Sequence, residues 1–259
     1  MLIDSHAHLD FPDFDNDLDG VILSAKNAGV EKIINVGADL SRSKKAISVA
    51  EKYNNVWATV GIHPEDSENI DIPRAIDEMR ALIAGSKRVV AVGECGLDYN
   101  YNENRKKEQK ALFQAQVELA KELNLPLVLH VRNGSDESAA RDAYDILQTS
   151  GHKRGVVHCF TLGAEWAEKF INLGCHIGFT GIITYKNAEN VRSSVKNVPM
   201  KKLLVETDAP YLAPQSVRGQ RNEPAYVIEV AEKIAEIKHI DIKEVAETTT
   251  SNCQRLFNI

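Results

Sequence analysis

The feature that most constrains this chain is an alternation, repeated from one end to the other, of short β-branched runs with longer amphipathic segments. The strand candidates are Leu2 to Ser5, Lys32 to Val36, Val56 to Gly61, Val89 to Gly93, Pro126 to His130, Gly155 to His158, His176 to Thr180 and Leu203 to Thr207. Helical patterns lie near residues 17–28, 41–53, 73–85, 104–123, 137–149, 163–173, 187–197 and 224–237, with a further one near 241–256. This order implies parallel strands joined by crossover helices. Eight strand-helix units in series, with no linker, low-complexity tract or repeat signature, fit an α/β fold of the closed (β/α)8 TIM-barrel type better than an open doubly wound sheet. No Gly-rich phosphate fingerprint follows the first strand, and Gly93 and Gly96 read as turn residues. A length of 259 residues is ordinary for one such barrel, so residues 1–259 are expected to form a single domain.

Composition narrows the function classes. Hydrophobic residues at 43% and charged residues at 26% allow a sizeable core. A formal net charge of -6 argues against a protein that coats nucleic acid with its whole surface, but leaves room for an enzyme that grips a few phosphates. The basic stretch Lys186, Arg192, Lys196, Lys201 and Lys202 reads as a solvated helix face. The start at Met1-Leu2-Ile3-Asp4 reads as strand, without the segments of a signal peptide, and no run approaches a membrane span. A cytoplasmic monomer is the expectation, with no membrane and no stable protein partner. Cys95, Cys159, Cys175 and Cys253 are scattered without a CxxC pair and are expected to be free thiols.

His6 and His8 stand two apart at the end of the first strand, so they project from one face, as two ligands of one ion must. Glu94, His130, His158 and Asp208 fall at the ends of the fourth, fifth, sixth and eighth strand candidates. Strand C-termini are where barrels build active sites, converging from positions far apart in sequence. The expected metal ligands are therefore His6, His8, Glu94, His130, His158 and Asp208. Two divalent cations fit the set: one on His6, His8, Glu94 and Asp208, the other on Glu94, His130 and His158, with the Glu94 carboxylate bridging ions about 4 Å apart. Such a centre keeps net positive charge, which suits a phosphodiester anion. Asp208 would also orient the attacking water and accept its proton. Cys95 and Cys159 each follow a ligand, and strand alternation turns them away, into packing. His63, in Gly61-Ile62-His63-Pro64, is placed at the same rim as a hydrogen-bonding group for phosphate or leaving group. Arg132 shares the face of His130, and Arg218 and Arg221 follow the eighth strand; these, Arg132 and Arg221 above all, are the candidate phosphate contacts.

These residues stand in motifs that resemble the TatD-like metal-dependent deoxyribonucleases within the amidohydrolase-type barrels. The motifs are Asp4-Ser5-His6-Ala7-His8, Gly61-Ile62-His63-Pro64, Gly93-Glu94-Cys95-Gly96-Leu97-Asp98-Tyr99, Pro126 to Arg132, His158-Cys159-Phe160-Thr161 and Glu206 to Leu212. Arg221-Asn222-Glu223-Pro224 and Asn252 to Phe257 belong with them. The resemblance implies a TIM barrel, metal-dependent cleavage of DNA, often from the 3′ end, a cytoplasmic location and ligands at His6, His8, Glu94, His130, His158 and Asp208. Leu162-Gly163 and Ala209 depart from the residues common in that family at those places and bear on loop shape and substrate fit. Zinc or manganese suits four imidazoles, whereas the resemblance suggests magnesium.

The competing readings are a small-molecule hydrolase acting on an amide, ester or phosphoester with the same metals, and a nucleic-acid-binding barrel that no longer catalyses. Better-known binuclear members of the first kind bridge their ions with a carbamylated lysine on the fourth strand, where this chain has Glu94. The second should have lost ligands, and none is missing.

Overall fold

The apolar runs pair in chain order. In the computed structural model, which describes residues 1–100 and 103–259, the strands are β1 (Leu2–Ala7), β2 (Val30–Asn35), β3 (Val56–Val60), β4 (Val89–Asp98), β5 (Leu127–Arg132), β6 (Gly155–Val157), β7 (His176–Phe179) and β8 (Leu203–Val205). They form one parallel sheet in the order β1 to β8. Backbone bonds between β1 and the segment after β8 complete the ring: Asp208 N donates to the His6 carbonyl at 2.8 Å, and His8 N to the Ala209 carbonyl at 2.7 Å. The fold is the (β/α)8 TIM barrel that the alternation implied.

Helices α1 (Leu18–Asn27), α2 (Leu40–Lys52), α3 (Ile72–Gly85), α4 (Lys106–Glu122), α5 (Ser138–Ser150), α6 (Ala164–Asn172), α7 (Glu189–Asn197) and α8 (Val227–Lys238) follow the strands in turn, and α9 (Ile242–Phe257) closes the chain. Asp39, Asp71 and Asp241 begin α2, α3 and α9 by accepting the amides of Arg42, Arg74 and Lys243 at 2.8, 3.2 and 2.7 Å. Each carboxylate satisfies a donor that the first helical turn leaves unpaired. Arg192, expected on a solvated face, instead donates to the carbonyls of Ile183, Tyr185 and Lys186 and ties down the chain after β7.

One end of the barrel is stoppered. Ile3, Ile34, Val90, Val128, Val156 and Leu204, from separate strands, cluster with Cys253, Leu256 and Phe257 of α9. Side chains from so many strands meet only inside the ring. Asn252 fixes the stopper by donating to the carbonyls of Met200 and Leu203 at 2.7 and 2.9 Å, and Thr250 by donating to the Met1 carbonyl at 3.1 Å. These contacts lie at the strand starts, which leaves the C-terminal mouth open for chemistry.

β4 runs past its expected end. Gly93 and Gly96 are inside it rather than in turns, with a register shift against β5 between Val92 and Cys95. Gly96 has φ +142°, and a Cβ there would lie 1.9 Å from the His130 carbonyl oxygen. Gly93 has φ +149°, with a Cβ 2.6 Å from the Val128 carbonyl oxygen. The glycines therefore let β4 bulge and still press against β5, carrying Glu94 and Asp98 on one continuous strand.

Phe257 is buried at 3% exposure in the stopper. Phe257→Ala should cost about 3 kcal/mol or more in urea-induced unfolding, as cavity formation in a core does. An unchanged midpoint would show that α9 is dispensable to the barrel.

Candidate metal centre

Alternation along β1 and the closing seam assemble the first part of the site. His6 and His8 bring their Nε2 atoms to 3.2 Å from one another. Because Asp208 N is bonded to the His6 carbonyl, its side chain falls beside them, with Oδ1 3.5 Å from His6 Nε2 and 3.4 Å from His8 Nε2. Glu94 Oε2 enters from β4 at 3.6 Å from both nitrogens. The second oxygen, Oε1, meets His158 Nε2 at 2.7 Å and His130 Nδ1 at 3.0 Å, and those two nitrogens are 3.3 Å apart. All six residues expected as ligands are thus brought together.

The donor set suits cations. His8 Nδ1 lies 2.8 Å from the Val36 carbonyl, which can only accept, so Nδ1 carries a hydrogen and Nε2 is left facing His6 to take a cation or a proton. His130 Nε2 lies 2.9 Å from Asp98 Oδ2, which likewise leaves Nδ1 facing Glu94 and His158 to take a cation or a proton. Lone pairs crowded at 3.2–3.3 Å repel unless a cation or a proton lies between them. Burial opposes charge on Glu94, yet the facing His158 imidazole above all, with hydrogen bonds from His158 and His130, holds its carboxyl well below the usual range. Asp208 is also held down, chiefly by its hydrogen bond with His8, against the effect of burial. Among the described residues, His6–His8–Asp208, His6–Glu94–His158 and His63–Glu94–His130 each place their ligand atoms within 4.8 Å of one another.

His63 is close enough to join the second group, with Nε2 3.7 Å from Glu94 Oε1. Its Nδ1, however, accepts the Glu65 amide at 3.2 Å, so the hydrogen of the neutral ring sits on Nε2 and faces inward. Burial, then the neighbouring His130, pushes its pKa down to about 3. This leaves a neutral donor aimed at the centre, in keeping with the hydrogen-bonding role expected for it.

The mouth is a cavity of about 780 Å³ whose walls include His8, His63, Glu94, His130, His158 and Asp208. Arg132 also lines it, on the same face of β5 as His130. Arg221 does not belong to the lining. Its guanidinium is held by Asp17 at 2.7 and 2.9 Å, Glu223 at 2.9 Å and the Asp13 carbonyl at 2.5 Å, strapping the loop after β8 to the loop after β1. The expectation that it contacts phosphate gives way to this structural one. Arg218 lies over the Tyr185 ring at 4.3 Å.

Cys95 packs in the core as expected. Cys159 differs, because β6 ends at Val157 and alternation no longer governs it. With φ +45° it reaches the cavity wall, its Sγ 3.8 Å from Thr180 Oγ1. Burial raises its thiol well above the usual range, so it is not poised as a nucleophile.

Several supporting residues went unrecognised in the sequence. Asp98 orients His130, and its even spacing from Glu94 on one strand was the available signal, hidden by ending β4 at Gly93. Buried Glu206 accepts the Cys159 amide at 2.5 Å and lies 3.8 Å from His158 Nδ1. Asp4 accepts Thr207 Oγ1 and N at 2.6 and 2.9 Å, and Asn222 donates to the Thr207 and Tyr211 carbonyls at 2.8 and 2.6 Å. These bonds hold the segment that carries Asp208.

A TIM barrel with histidines and carboxylates gathered at its C-terminal mouth is the arrangement of a metal-dependent hydrolase. The chain belongs to the TatD related DNase family, whose profile matches residues 3–258. It is 41% identical over 261 residues, covering 100% of both chains, to YabD of Bacillus subtilis, a protein named as an uncharacterized metal-dependent hydrolase. It is 34% identical over 263 residues to the 3′-5′ ssDNA/RNA exonuclease TatD of Salmonella typhimurium, covering 100% of this chain and 99% of that one. The crystal structure of YJJV, a TatD homologue from Escherichia coli K12, superposes with a TM-score of 0.93 at 32% identity, over 100% of this chain and 98% of the other.

Asp98→Asn keeps the shape of the side chain but weakens its hold on the His130 ring. Metal affinity, read by competition with a chromogenic chelator, should fall about 10- to 100-fold. Unaltered affinity would mean that β5 alone sets the ring.

Proposed function

We propose that this metal-dependent hydrolase is a deoxyribonuclease that removes nucleotides from the 3′ end of single-stranded DNA, using two divalent cations of the magnesium, manganese or zinc kind. The observation that carries the reading is the convergence of His6, His8, Glu94, His130, His158 and Asp208 on one open cavity. The full-length similarity to the Salmonella typhimurium 3′-5′ exonuclease supports the substrate class and polarity. The reading takes residues 1–259 to work as one domain, as a monomer, in the cytoplasm.

One cation position would be held by His6, His8, Glu94 and Asp208, the other by Glu94, His130 and His158. Bound there, divalent ions supply Lewis acidity for the phosphoryl oxygen and lower the pKa of the attacking water. Asp208 lines the cavity with its carboxyl ionised, and so is suited to orient that water and take its proton. His63 Nε2–H donates to the leaving oxygen or to a phosphate oxygen, and its low pKa keeps it a neutral donor near pH 7. Arg132 offers a planar fork to a phosphate at the cavity wall. Asp98 keeps the imidazole of His130 turned inward.

The test is digestion of end-labelled single- and double-stranded DNA after chelation, with magnesium, manganese or zinc added back. Metal-restored laddering from the 3′ end is expected. A folded, metal-loaded protein that cleaves neither DNA would favour a small-molecule substrate for the same centre. Glu94→Ala should lose both bound metal and nearly all turnover. Asp208→Asn should retain more metal yet lose about 100-fold or more in kcat; full activity in either variant would remove that residue from the centre.

A further inference from the structure

One flank of the mouth carries a construction that the hydrolytic scheme leaves unused. Phe11 follows His8 by a single turn, its amide donating to the His8 carbonyl at 3.2 Å, and its ring stacks on the His8 imidazole with centroids 4.8 Å apart. The Arg42 guanidinium, from the first turn of α2, lies over the same Phe11 ring at 3.7 Å. Tyr211 stands at the same distance in sequence from Asp208, with its amide on the Asp208 carbonyl at 2.8 Å, and its ring meets Phe11 edge-on at 5.8 Å. Tyr211 is 54% exposed, and it lines the cavity with Phe11 and Arg42.

We propose that Arg42 and Tyr211, backed by Phe11, form a subsite that receives one unpaired nucleobase next to the scissile phosphodiester. The inference rests on the nuclease reading of the metal centre and specifies how that centre selects its substrate. A flat guanidinium and a phenol ring offer the surfaces on which bases of any sequence stack. The local charge favours a base over a phosphate. Arg42 faces Asp39 at 3.5 Å and buried Asp10 at 3.9 Å, so its charge is already matched. Asp39, Glu65 and Asp66 also line the cavity and would repel an anion there. Distance from the centre is set by the fold, since each aromatic residue is one hydrogen-bonded turn from a candidate ligand, His8 or Asp208. A base can reach this flank only when unstacked from its neighbours, so the subsite selects single-stranded ends.

The test compares two short single-stranded DNA oligonucleotides with magnesium or manganese present, one natural and one with abasic nucleotides in the terminal stretches at both ends. Stacking of one base is typically strong enough to give the native protein at least about a five-fold preference in kcat/KM for the natural strand. That ratio should fall towards one in Tyr211→Ala, mainly through KM, and should be restored in Tyr211→Phe, which keeps the ring. A ratio near one in the native protein, or a ratio that Tyr211→Ala leaves intact, would overturn the subsite while leaving the nuclease reading standing. If the native protein cleaves neither strand under either metal, the nuclease reading fails and the subsite falls with it.

Discussion

A single buried carboxylate organises the molecule's chemistry. Among the described residues, five imidazoles, from His6, His8, His63, His130 and His158, lie within 3.7 Å of the two oxygens of Glu94. A carboxylate at 4% exposure is costly to bury alone. So dense a ring of imidazoles would also repel itself without an anion at its middle. Each therefore requires the other, and five separate strand ends must arrive at one place for either to be tolerated. Cations complete that balance, which is why metal dependence follows from the arrangement itself.

The barrel meets this demand by dividing its two ends. At the strand starts, α9 packs Cys253, Leu256 and Phe257 against apolar side chains from inside the ring, supplying stability where no chemistry is done. At the strand ends, the seam between β1 and the segment after β8 serves both closure and function. The same backbone bonds that shut the ring set Asp208 beside His6 and His8. Asp4, Thr207 and Asn222 hold that seam through buried hydrogen bonds, and the Arg221 strap joins the loops above it. His63, Arg132, Arg42 and Tyr211, the groups proposed to meet substrate, stand around the opening on strand ends, loops and the first turn of α2, where they can differ without disturbing the candidate ligands.

Much of this was legible in the chain. The alternation of strand and helix patterns led to the barrel, and His6, His8, Glu94, His130, His158 and Asp208 were found because each follows an apolar run that had to be a strand. Gly93 was taken for the end of β4, yet it marks a bulge within a longer strand, so Asp98 and its bond to His130 were overlooked. Cys159 was turned into the core by extending strand alternation beyond β6, which stops at Val157. Charge and loop position mark Arg221 for substrate, but its guanidinium is taken by the carboxylates of Glu223, two residues on, and Asp17, 204 positions away.

The sequence by itself determined the order of elements, the number of strand-helix units and the candidate ligand side chains, because strand and helix periodicity are local and metal-ligating residue types are chemically distinctive. Tertiary structure alone decided the rest. Which nitrogen of His8, His63 or His130 faces the centre depends on a carbonyl, an amide or a carboxylate supplied by the surrounding fold. Whether an arginine meets substrate or an acid of another loop depends on which loops the closed ring brings together. Such facts are distances between residues remote in the chain, and they come into being only when the barrel closes.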